Sequence, residues 1–293
     1  MILSMKFDVV IVGGGLVGAS LAAALKDSGL SLALVESHAA ATHPVERAQS
    51  DVWDSRIYAI GPGSRSFLEQ SGAWSLLDAG RIAPVEMMRV FGDTGAELEF
   101  SAYQMGVAEL ACIVENRALQ HALWQVLQQQ ENLTLFHPAR CGALEFDKDA
   151  ATLALEDGRA LNAKLVVGAD GHDSWVRKQA GISAAPVDYH QHGVVANFST
   201  ERPHRGIAYQ WFQPDGILAL LPLPGNRVSM VWSVSPEWSA RLLAMPDEEL
   251  CAGNCPCIAA YAWRVKTHHA ARRFSAAPAG IAADQRPARR IDR

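Results

Sequence analysis

Residues 7–18 read FDVVIVGGGLVG, and this stretch decides the fold. The apolar run from Phe7 to Val12 ends in glycines after a strand's length, which is typical of a buried parallel strand. Apolar residues then recur at helical spacing from Leu16 to Leu25, and Leu30 to Val35 forms a second apolar run. The pattern predicts a β-α-β unit.

The glycines of this unit follow the pattern G-x-G-x-x-G, which Gly13, Gly15 and Gly18 satisfy. In this context the first glycine allows a tight turn, the second lets a pyrophosphate approach the backbone, and the third lets the helix pack close to the strand. The helix start, at Leu16 and Val17, would turn free N–H groups and a partial positive charge towards phosphates. The sequence therefore predicts a dinucleotide site; the alternative is a glycine-rich turn without a ligand.

An acidic residue, Glu36, ends the second predicted strand roughly 20 residues after the glycines, as in dinucleotide-binding units. Its carboxylate can accept hydrogen bonds from both hydroxyls of a ribose and would repel a 2′-phosphate. These features leave NAD and FAD both open, and an NAD-dependent dehydrogenase would carry no yellow chromophore.

Composition sets the protein class. The chain has 293 residues, of which 49% are hydrophobic and 19% charged, with a net charge of −5. These values argue against a disordered, collagen-like or coiled-coil chain, and the length favours two domains. The mild acidity makes nucleic acid an unfavourable partner.

Cysteine content and hydropathy bear on location. Five cysteines and no secretory leader fit a reducing compartment. The apolar run at the N-terminus is too short to span a bilayer. We expect a cytoplasmic protein, with peripheral contact with the inner membrane left open.

A second motif lies in residues 165–177, LVVGADGHDSWVR, where an apolar strand leads into Asp170-Gly171 and then Ser174 and Arg177 at a helix start. It resembles the Asp-Gly fingerprint of flavoprotein aromatic hydroxylases. The resemblance implies that the Asp-Gly turn lies beside FAD and takes part in contact with NAD(P)H. The alternative is a turn whose aspartate only caps a helix.

Other segments give coarse structure. Asn116 to Gln130 has a helical apolar face, with Asn116 as the predicted N-cap. Asp157-Gly158 separates two strand-like runs and predicts a hairpin. Val194 to Trp232 is rich in strand patterns around a turn at residues 224–226.

Three further segments resemble the ubiquinone-biosynthesis branch of these hydroxylases, the 2-polyprenylphenol hydroxylase type. They are residues 54–60 (DSRIYAI), residues 113–124 (IVENRALQHALW) and the strands within 216–232. The resemblance implies that Arg56 reaches FAD near its pyrophosphate and that Arg117 points at the ribityl or phosphate side. The alternatives are an Arg56 that only pairs with Asp54 and an Arg117 that is an exposed helix residue.

The resemblance implies an α/β fold of the p-hydroxybenzoate-hydroxylase type, in which a mainly antiparallel substrate sheet is inserted into an FAD-binding Rossmann-type domain. We assign residues 1–75 and 113–185 to FAD binding, and 76–112 and 186–250 to the substrate domain. The implied activity is FAD-dependent hydroxylation of a polyprenylphenol with NAD(P)H and O₂, within a ubiquinone-biosynthesis complex. No catalytic side chain and no metal are assigned.

Several side chains that could carry other chemistry receive ordinary roles. His190 and His192 are interpreted as surface or satisfied histidines, because flavin hydroxylation needs no dedicated histidine. Cys112 and Cys141 lack the spacing of a redox pair.

The segment from Cys251 to Arg293 differs from the rest, with eight Lys and Arg against two Asp and no sustained period. We interpret it as an atypical basic tail with no evident apolar face to dock, which favours disorder. It is interpreted as a reading-frame change or an unusual terminus, with a basic binding arm as the alternative. A zinc site at Cys251, Cys255 and Cys257 is disfavoured, since only His268 and His269 could complete it.

The resemblance ends near Leu250, and the G-D-A-A-H-x-x-x-P-x-x-G-Q-G segment of the family has no counterpart after it. We therefore keep, as the alternative function, an FAD-binding fragment that is non-catalytic or uncoupled.

Overall fold

A computed structural model of the chain describes residues 4–39, 53–183, 188–214, 216–246, 249, 265–267 and 272–275. Its helices over this part of the chain are α1 (Leu16–Ala24), α2 (Pro62–Gln70), α3 (Ala102–Met105), α4 (Asn116–Gln128), α5 (Trp175–Gln179) and α6 (Pro236–Ala244). Its strands are β1 (Ser4–Val12), β2 (Leu32–Val35), β3 (Ile57–Ile60), β4 (Ala83–Val85), β5 (Met87–Phe91), β6 (Glu97–Ser101), β7 (Ala111–Glu115), β8 (Leu133–Phe136), β9 (Cys141–Phe146), β10 (Ala151–Leu155), β11 (Ala160–Gly168), β12 (His192–Thr200), β13 (Ile207–Gln213), β14 (Gly216–Leu223), β15 (Arg227–Val234), β16 (Val265–Thr267) and β17 (Arg272–Ser275).

The first sheet has six strands in the order β8-β2-β1-β11-β10-β9. β1 runs parallel to β2 and β11, whereas β9 and β10 join antiparallel at one side. Val9 and Ile11 point into one core and Val10 and Val12 into another, because successive side chains of a strand face opposite ways. The β-α-β prediction is confirmed, although the second strand begins at Leu32.

Helices α1 and α4 cover one face of this sheet. Ala19 and Ala22 of α1 and Leu119, Leu123 and Leu127 of α4 are buried in the same apolar core. The helical face predicted for α4 is therefore confirmed, because apolar residues three and four apart share one side of a helix.

The predicted cap of α4 is wrong by one residue. Asn116 is the first helical residue and Glu115 occupies the N-cap position, without a side-chain cap hydrogen bond. The free N–H groups bond to another segment instead: Asn116 N donates to Arg56 O and Arg117 N to an oxygen of Asp54. A partner 63 residues away has thus replaced the local cap.

The second sheet follows the order β16-β12-β15-β14-β13-β5-β6, with β17 also paired to β12. Its pairs are antiparallel except for β5 with β13, which confirms a mainly antiparallel sheet. One face carries a core that includes Phe198, Trp211 and Met230 and packs against Leu242 of α6. The hairpin at Asp157-Gly158 and the turn at residues 224–226 lie where the sequence predicts them.

A three-stranded sheet, β3-β7-β4, lies between the two larger sheets in the chain's path. Its Ile113 shares a small core with Trp53, and with Ala208 and Leu223 of the second sheet. β7 then leads directly into α4, which returns the chain to the first sheet. The chain therefore leaves and re-enters the first sheet, as expected for an inserted substrate sheet; the residue boundaries of the two domains stay predictions.

The segment from Cys251 to Arg293, called the tail here, contains two short strands that the sequence did not predict. β16 pairs with residues 198–200 of β12, and β17 pairs with residues 192–195 of the same strand. These two stretches pair through main-chain bonds, which require no apolar periodicity; the assignment of the whole segment as an atypical tail stays a prediction. Cys251, Cys255, Cys257, His268 and His269 lie outside the described residues.

No helix among the described residues is long and apolar enough to cross a membrane.

Candidate functional site

Residues 13–18, which comprise the turn after β1 and the first three residues of α1, are called the glycine loop here. Gly13 has φ +105°, and a Cβ there would lie 2.4 Å from the carbonyl oxygen of Ala169. A Cβ on Gly18 would lie 1.9 Å from the carbonyl oxygen of Gly13. Both positions therefore need glycine for close packing of the loop, the helix and the end of β11.

Gly15 differs from these two glycines, because no atom lies within 4 Å of its hypothetical Cβ. It is the N-cap of α1 and no side chain caps the helix there. The first-turn N–H groups of Leu16, Val17 and Gly18 have no partner within the helix by geometry, and they carry the positive end of its dipole. Val17 is 76% exposed. This open cradle fits a phosphate or pyrophosphate.

Glu36 follows β2 beside the glycine loop. One carboxylate oxygen accepts a hydrogen bond from Gly14 N at 2.7 Å, and the other accepts one from His38 N at 2.9 Å. Burial of the carboxylate raises its pKa, but the hydrogen bonds from His38 and Gly14 outweigh this, and the net pKa lies below its ordinary value. Glu36 is thus held ionised, and it orders the loop itself.

The Gly14 peptide is held from its other side by Trp124 of α4. The buried indole N–H donates to the Gly14 carbonyl at 2.9 Å. This contact ties α4 to the loop, and the sequence analysis assigned Trp124 no such role. The sequence could indicate only that a buried tryptophan needs a hydrogen-bond acceptor for its N–H, and not which acceptor this is.

A cleft of about 550 Å³ opens where β1, β2 and β11 end. Five predicted residues line it, namely Gly13, Gly15, Glu36, Asp170 and Gly171. The other lining residues are Val12, Val35, Ser37, His38, Ala139, Arg140, Cys141, Glu156, Ala169, Asp173 and Trp175. Parallel strands expose their carboxyl ends at one edge, which is the usual place for a nucleotide in such sheets.

The Asp170 side chain acts as a helix cap. Its oxygens accept hydrogen bonds from Ser174 Oγ at 2.6 Å and from the N–H groups of Trp175 at 2.6 Å and Val176 at 3.1 Å. The capping alternative raised by the sequence therefore describes this side chain. The turn nevertheless stays at the cleft, because Gly13 packs against Ala169 and the Asp170 nitrogen.

Carboxylates dominate the charge inside the cleft. Burial raises the pKa of the Cys141 thiol to about 12, with added effects from Asp170, Glu156 and Glu36. The negative charge of the cleft therefore suits the neutral sugar and base of a nucleotide better than its phosphates.

Arg56 and Arg117 are not among the residues that line this cleft. They lie together in a second group, called the arginine group here, which comprises Asp54, Arg56, Arg81, Glu115 and Arg117. Asp54 accepts hydrogen bonds from the main-chain N–H of Arg56 and of Arg117, both at 3.1 Å. The Arg117 Nε lies 3.4 Å from the same carboxylate, whereas the Arg56 guanidinium lies over the Tyr58 ring at 5.7 Å.

Buried charges fix this group. Glu115 is 4% exposed, and its carboxylate accepts hydrogen bonds from Arg81 Nε at 2.7 Å and from Arg81 Nη2 at 2.9 Å. It also accepts the Asp54 N–H at 2.5 Å. The hydrogen bond to Glu115 raises the pKa of Arg81. Sequence reasoning missed Glu115 and Arg81, because their pairing joins segments that are distant in sequence.

The remaining candidates are two histidines and two cysteines, of which only Cys141 lines the cleft. His190 pairs with the exposed Asp188 at 3.3 Å, and His192 begins β12. Cys112 is buried and Cys141 lines the cleft; both are free cysteines.

Comparison with known proteins gives the relationships of the chain. A family profile described as an FAD binding domain matches residues 6–252. The chain is 40% identical over 243 residues to the ubiquinone hydroxylase UbiL of Rhodospirillum rubrum, which covers 82% of this chain and 55% of that protein. It is 37% identical over 229 residues to the 3-demethoxyubiquinol 3-hydroxylase of Escherichia coli. This match covers 78% of this chain and 58% of that protein. The chain thus spans a little over half the length of these relatives.

Solved structures show the same fold. A mutant of PqsL from P. aeruginosa matches with a TM-score of 0.73 at 21% identity, over 92% of this chain and 73% of that one.

Proposed function

The chain belongs to the family of proteins with an FAD binding domain, in the group of ubiquinone-biosynthesis hydroxylases, and on that premise we propose that it is an FAD-dependent monooxygenase. The proposed reaction is hydroxylation of a polyprenylated phenol. The observation that carries the proposal is the open cradle at Gly15, where the α1 N-terminus meets a cleft lined by Glu36 and Asp170.

The cleft supports one orientation of the cofactor. The pyrophosphate would lie at Gly13, Gly15 and the first turn of α1, through Leu16, Val17 and Gly18. The adenosine ribose would bond to Glu36, whose carboxylate is already ionised and fixed. The turn at Asp170 and Gly171 would lie beside the dinucleotide.

The arginine group would meet the pyrophosphate from another direction and continue towards the flavin side of the cofactor. We assign Arg56 to the pyrophosphate and Arg117 to the ribityl or phosphate side. Both side chains are exposed, and a guanidinium suits phosphate because it can donate two parallel hydrogen bonds. Arg117 lies seven residues before Trp124, or roughly 10 Å along α4, which an extended dinucleotide can span.

Bound FAD would take two electrons from NAD(P)H and use O₂ to place one oxygen atom on the ring, while the second oxygen atom leaves as water. The residues of this chain bind, orient and exclude water. No side chain is asked to act as a nucleophile.

The second sheet offers an apolar face to such a substrate. A row of directly paired residues crosses it, namely Val195, Val231, Ala219, Gln210, Val90 and Leu98. Asn197 lies on the same face, two residues from Val195, and donates to Asp54 O at 3.1 Å. This face is therefore turned towards the arginine group. The four middle residues of the row are half-buried, namely Val231, Ala219, Gln210 and Val90.

The substrate class also bears on location. A polyprenyl chain partitions into a bilayer, so we propose a cytoplasmic protein with peripheral contact with the inner membrane. Contact with other ubiquinone-biosynthesis proteins belongs to the same proposal.

The test is a coupled measurement on the purified full chain. We expect bound FAD, NAD(P)H oxidation that depends on a short-chain prenylphenol, and hydroxylated product by mass spectrometry. Hydrogen peroxide is measured in parallel. A chain without flavin would contradict the proposal and favour the dehydrogenase alternative, whereas flavin with peroxide but no product would favour an uncoupled fragment.

A further inference from the structure

Asp54 is a carboxylate placed where an anionic cofactor is proposed to bind. One of its oxygens accepts the Arg56 N–H, and the other accepts the Arg117 N–H while lying 3.4 Å from Arg117 Nε. The Asp54 side chain is only 13% exposed, whereas that of Arg117 is 57% exposed. The acid is therefore fixed, and the arginine it holds keeps much of its surface free for a ligand.

The backbone of Asp54 is held from two sides, and the residue before it is packed as well. The buried Glu115 accepts its N–H, and Arg81 holds Glu115 through two hydrogen bonds. On the opposite side Asn197 of the second sheet donates to its carbonyl oxygen. Trp53, the preceding residue, packs under the Arg81 guanidinium at 4.1 Å. An ordinary surface ion pair has no such support.

We infer that Asp54 is a positioning residue for FAD, which acts by fixing the start of α4 and the side chain of Arg117. The inference rests on the proposed function, since it assumes that Arg117 binds FAD. Asp54 touches no cofactor atom in this scheme. It restricts the arginine to one direction before the ligand arrives, which reduces the ordering needed on binding.

The sign of one substitution separates this role from simple electrostatics. Asp54→Asn removes a negative charge beside the binding region of a dianionic pyrophosphate. Charge alone would then strengthen FAD binding. A positioning role predicts the opposite, because the amide no longer holds the guanidinium and Arg117 becomes free to turn away.

The experiment measures FAD affinity of the full chain by fluorescence titration for wild type, Asp54→Asn, Arg117→Ala and the double variant. We expect Asp54→Asn to weaken binding about tenfold and to have little further effect in the Arg117→Ala background, because residues that act through one another are not additive. Thermal unfolding of each variant without FAD is recorded in parallel. Glu99→Gln is the matched control, since Glu99 pairs with Arg89 at 3.0 Å on β5 and β6, away from the site.

Each outcome decides the matter. Unchanged or tighter binding by Asp54→Asn would overturn the inference, and so would an equal loss in the Arg117→Ala background. Wild-type affinity in Arg117→Ala would overturn it as well, but would leave the proposed function standing. A wild-type chain that binds no FAD would overturn the proposed function itself. If Asp54→Asn does not fold, Asp54→Ser, whose hydroxyl can still accept at a helix start, takes its place.

Discussion

The glycine loop and the arginine group are built in different ways, although both are proposed to meet one cofactor. The loop depends on main-chain geometry: Gly13 and Gly18 allow contacts that no side chain would permit. The arginine group depends on side-chain charges from separate segments, centred on the buried Glu115. The first is local in sequence and the second is not.

The difference affects how each region should fail. A substitution in the glycine loop acts by steric exclusion, because a new Cβ either collides with the neighbouring backbone or occupies the space of a ligand. A change in the arginine group acts through unpaired charge, which is costly inside a protein. Stability and cofactor affinity should therefore separate in the loop and fall together in the arginine group.

The largest effect is expected for Glu115→Ala. It leaves Arg81, which is 18% exposed, without the carboxylate it pairs with. We expect a loss of about 3 kcal/mol in the free energy of unfolding, measured by urea denaturation. The control Glu99→Ala breaks an exposed pair and should cost less than about 1 kcal/mol. Equal losses would mean that burial of Glu115 has no energetic importance.

Gly15→Val should cause the next largest effect. Its side chain would occupy the open cradle and weaken FAD binding by about a hundredfold or more, which is ~2.7 kcal/mol. The melting temperature without FAD should fall less than in Gly18→Ala, because nothing lies within 4 Å of the new Cβ, and the remaining cost is that of valine at an N-cap.

Gly18→Ala is the matched variant for Gly15→Val. Its Cβ would lie 1.9 Å from Gly13 O, so it should lower the melting temperature even without FAD. If Gly15→Val retained normal flavin, the cradle would not be the pyrophosphate site.

Glu36→Gln should have an intermediate effect, which depends on pH. The pKa of Glu36 is lowered in the folded protein, so its stabilising effect is complete above the ordinary pKa of glutamate and is lost as pH falls through the lowered value. We expect about tenfold weaker FAD binding at pH 7, from the loss of one charge-assisted hydrogen bond. The stability difference from wild type should shrink only below about pH 4. A difference that disappears between pH 7 and pH 6 would contradict this assignment.

The smallest effect concerns Cys141. Because its thiol has a pKa of about 12, it should react with iodoacetamide at pH 8 far more slowly than glutathione does, although it lines the cleft. Peptide mass spectrometry after timed alkylation distinguishes it from the other cysteines. Modification at the rate of glutathione would show that burial does not raise the pKa of this thiol.

The same contrast explains what the sequence could predict. The glycine loop, Glu36 and the Asp-Gly turn each follow directly from a strand, so local patterns identified all three. The contact from Asp54 to Glu115 joins residues 61 apart, and the one from Asn197 to Asp54 joins residues 143 apart. No local pattern specifies such contacts: the sequence offered Asp54 only as a partner of Arg56, and its contacts with Arg117, Glu115 and Asn197 were not predicted. The capping role of Asp170 was seen only as an alternative, because the same residues fit both uses.

Helix α4 connects the two regions, with Trp124 bonded to Gly14 and Arg117 held at its N-terminus. A helix is nearly incompressible, so the separation between its two contacts is fixed by a rise of about 1.5 Å per residue. If the glycine loop and Arg117 both bind FAD as proposed, α4 sets the distance between these two contacts and thereby the length of ligand that can reach both. A mononucleotide could meet only one of these contacts, and inserting one residue between Arg117 and Trp124 would rotate the two residues against each other by roughly 100°. Selection for a dinucleotide would then depend on the number of residues in the helix as well as on their identity.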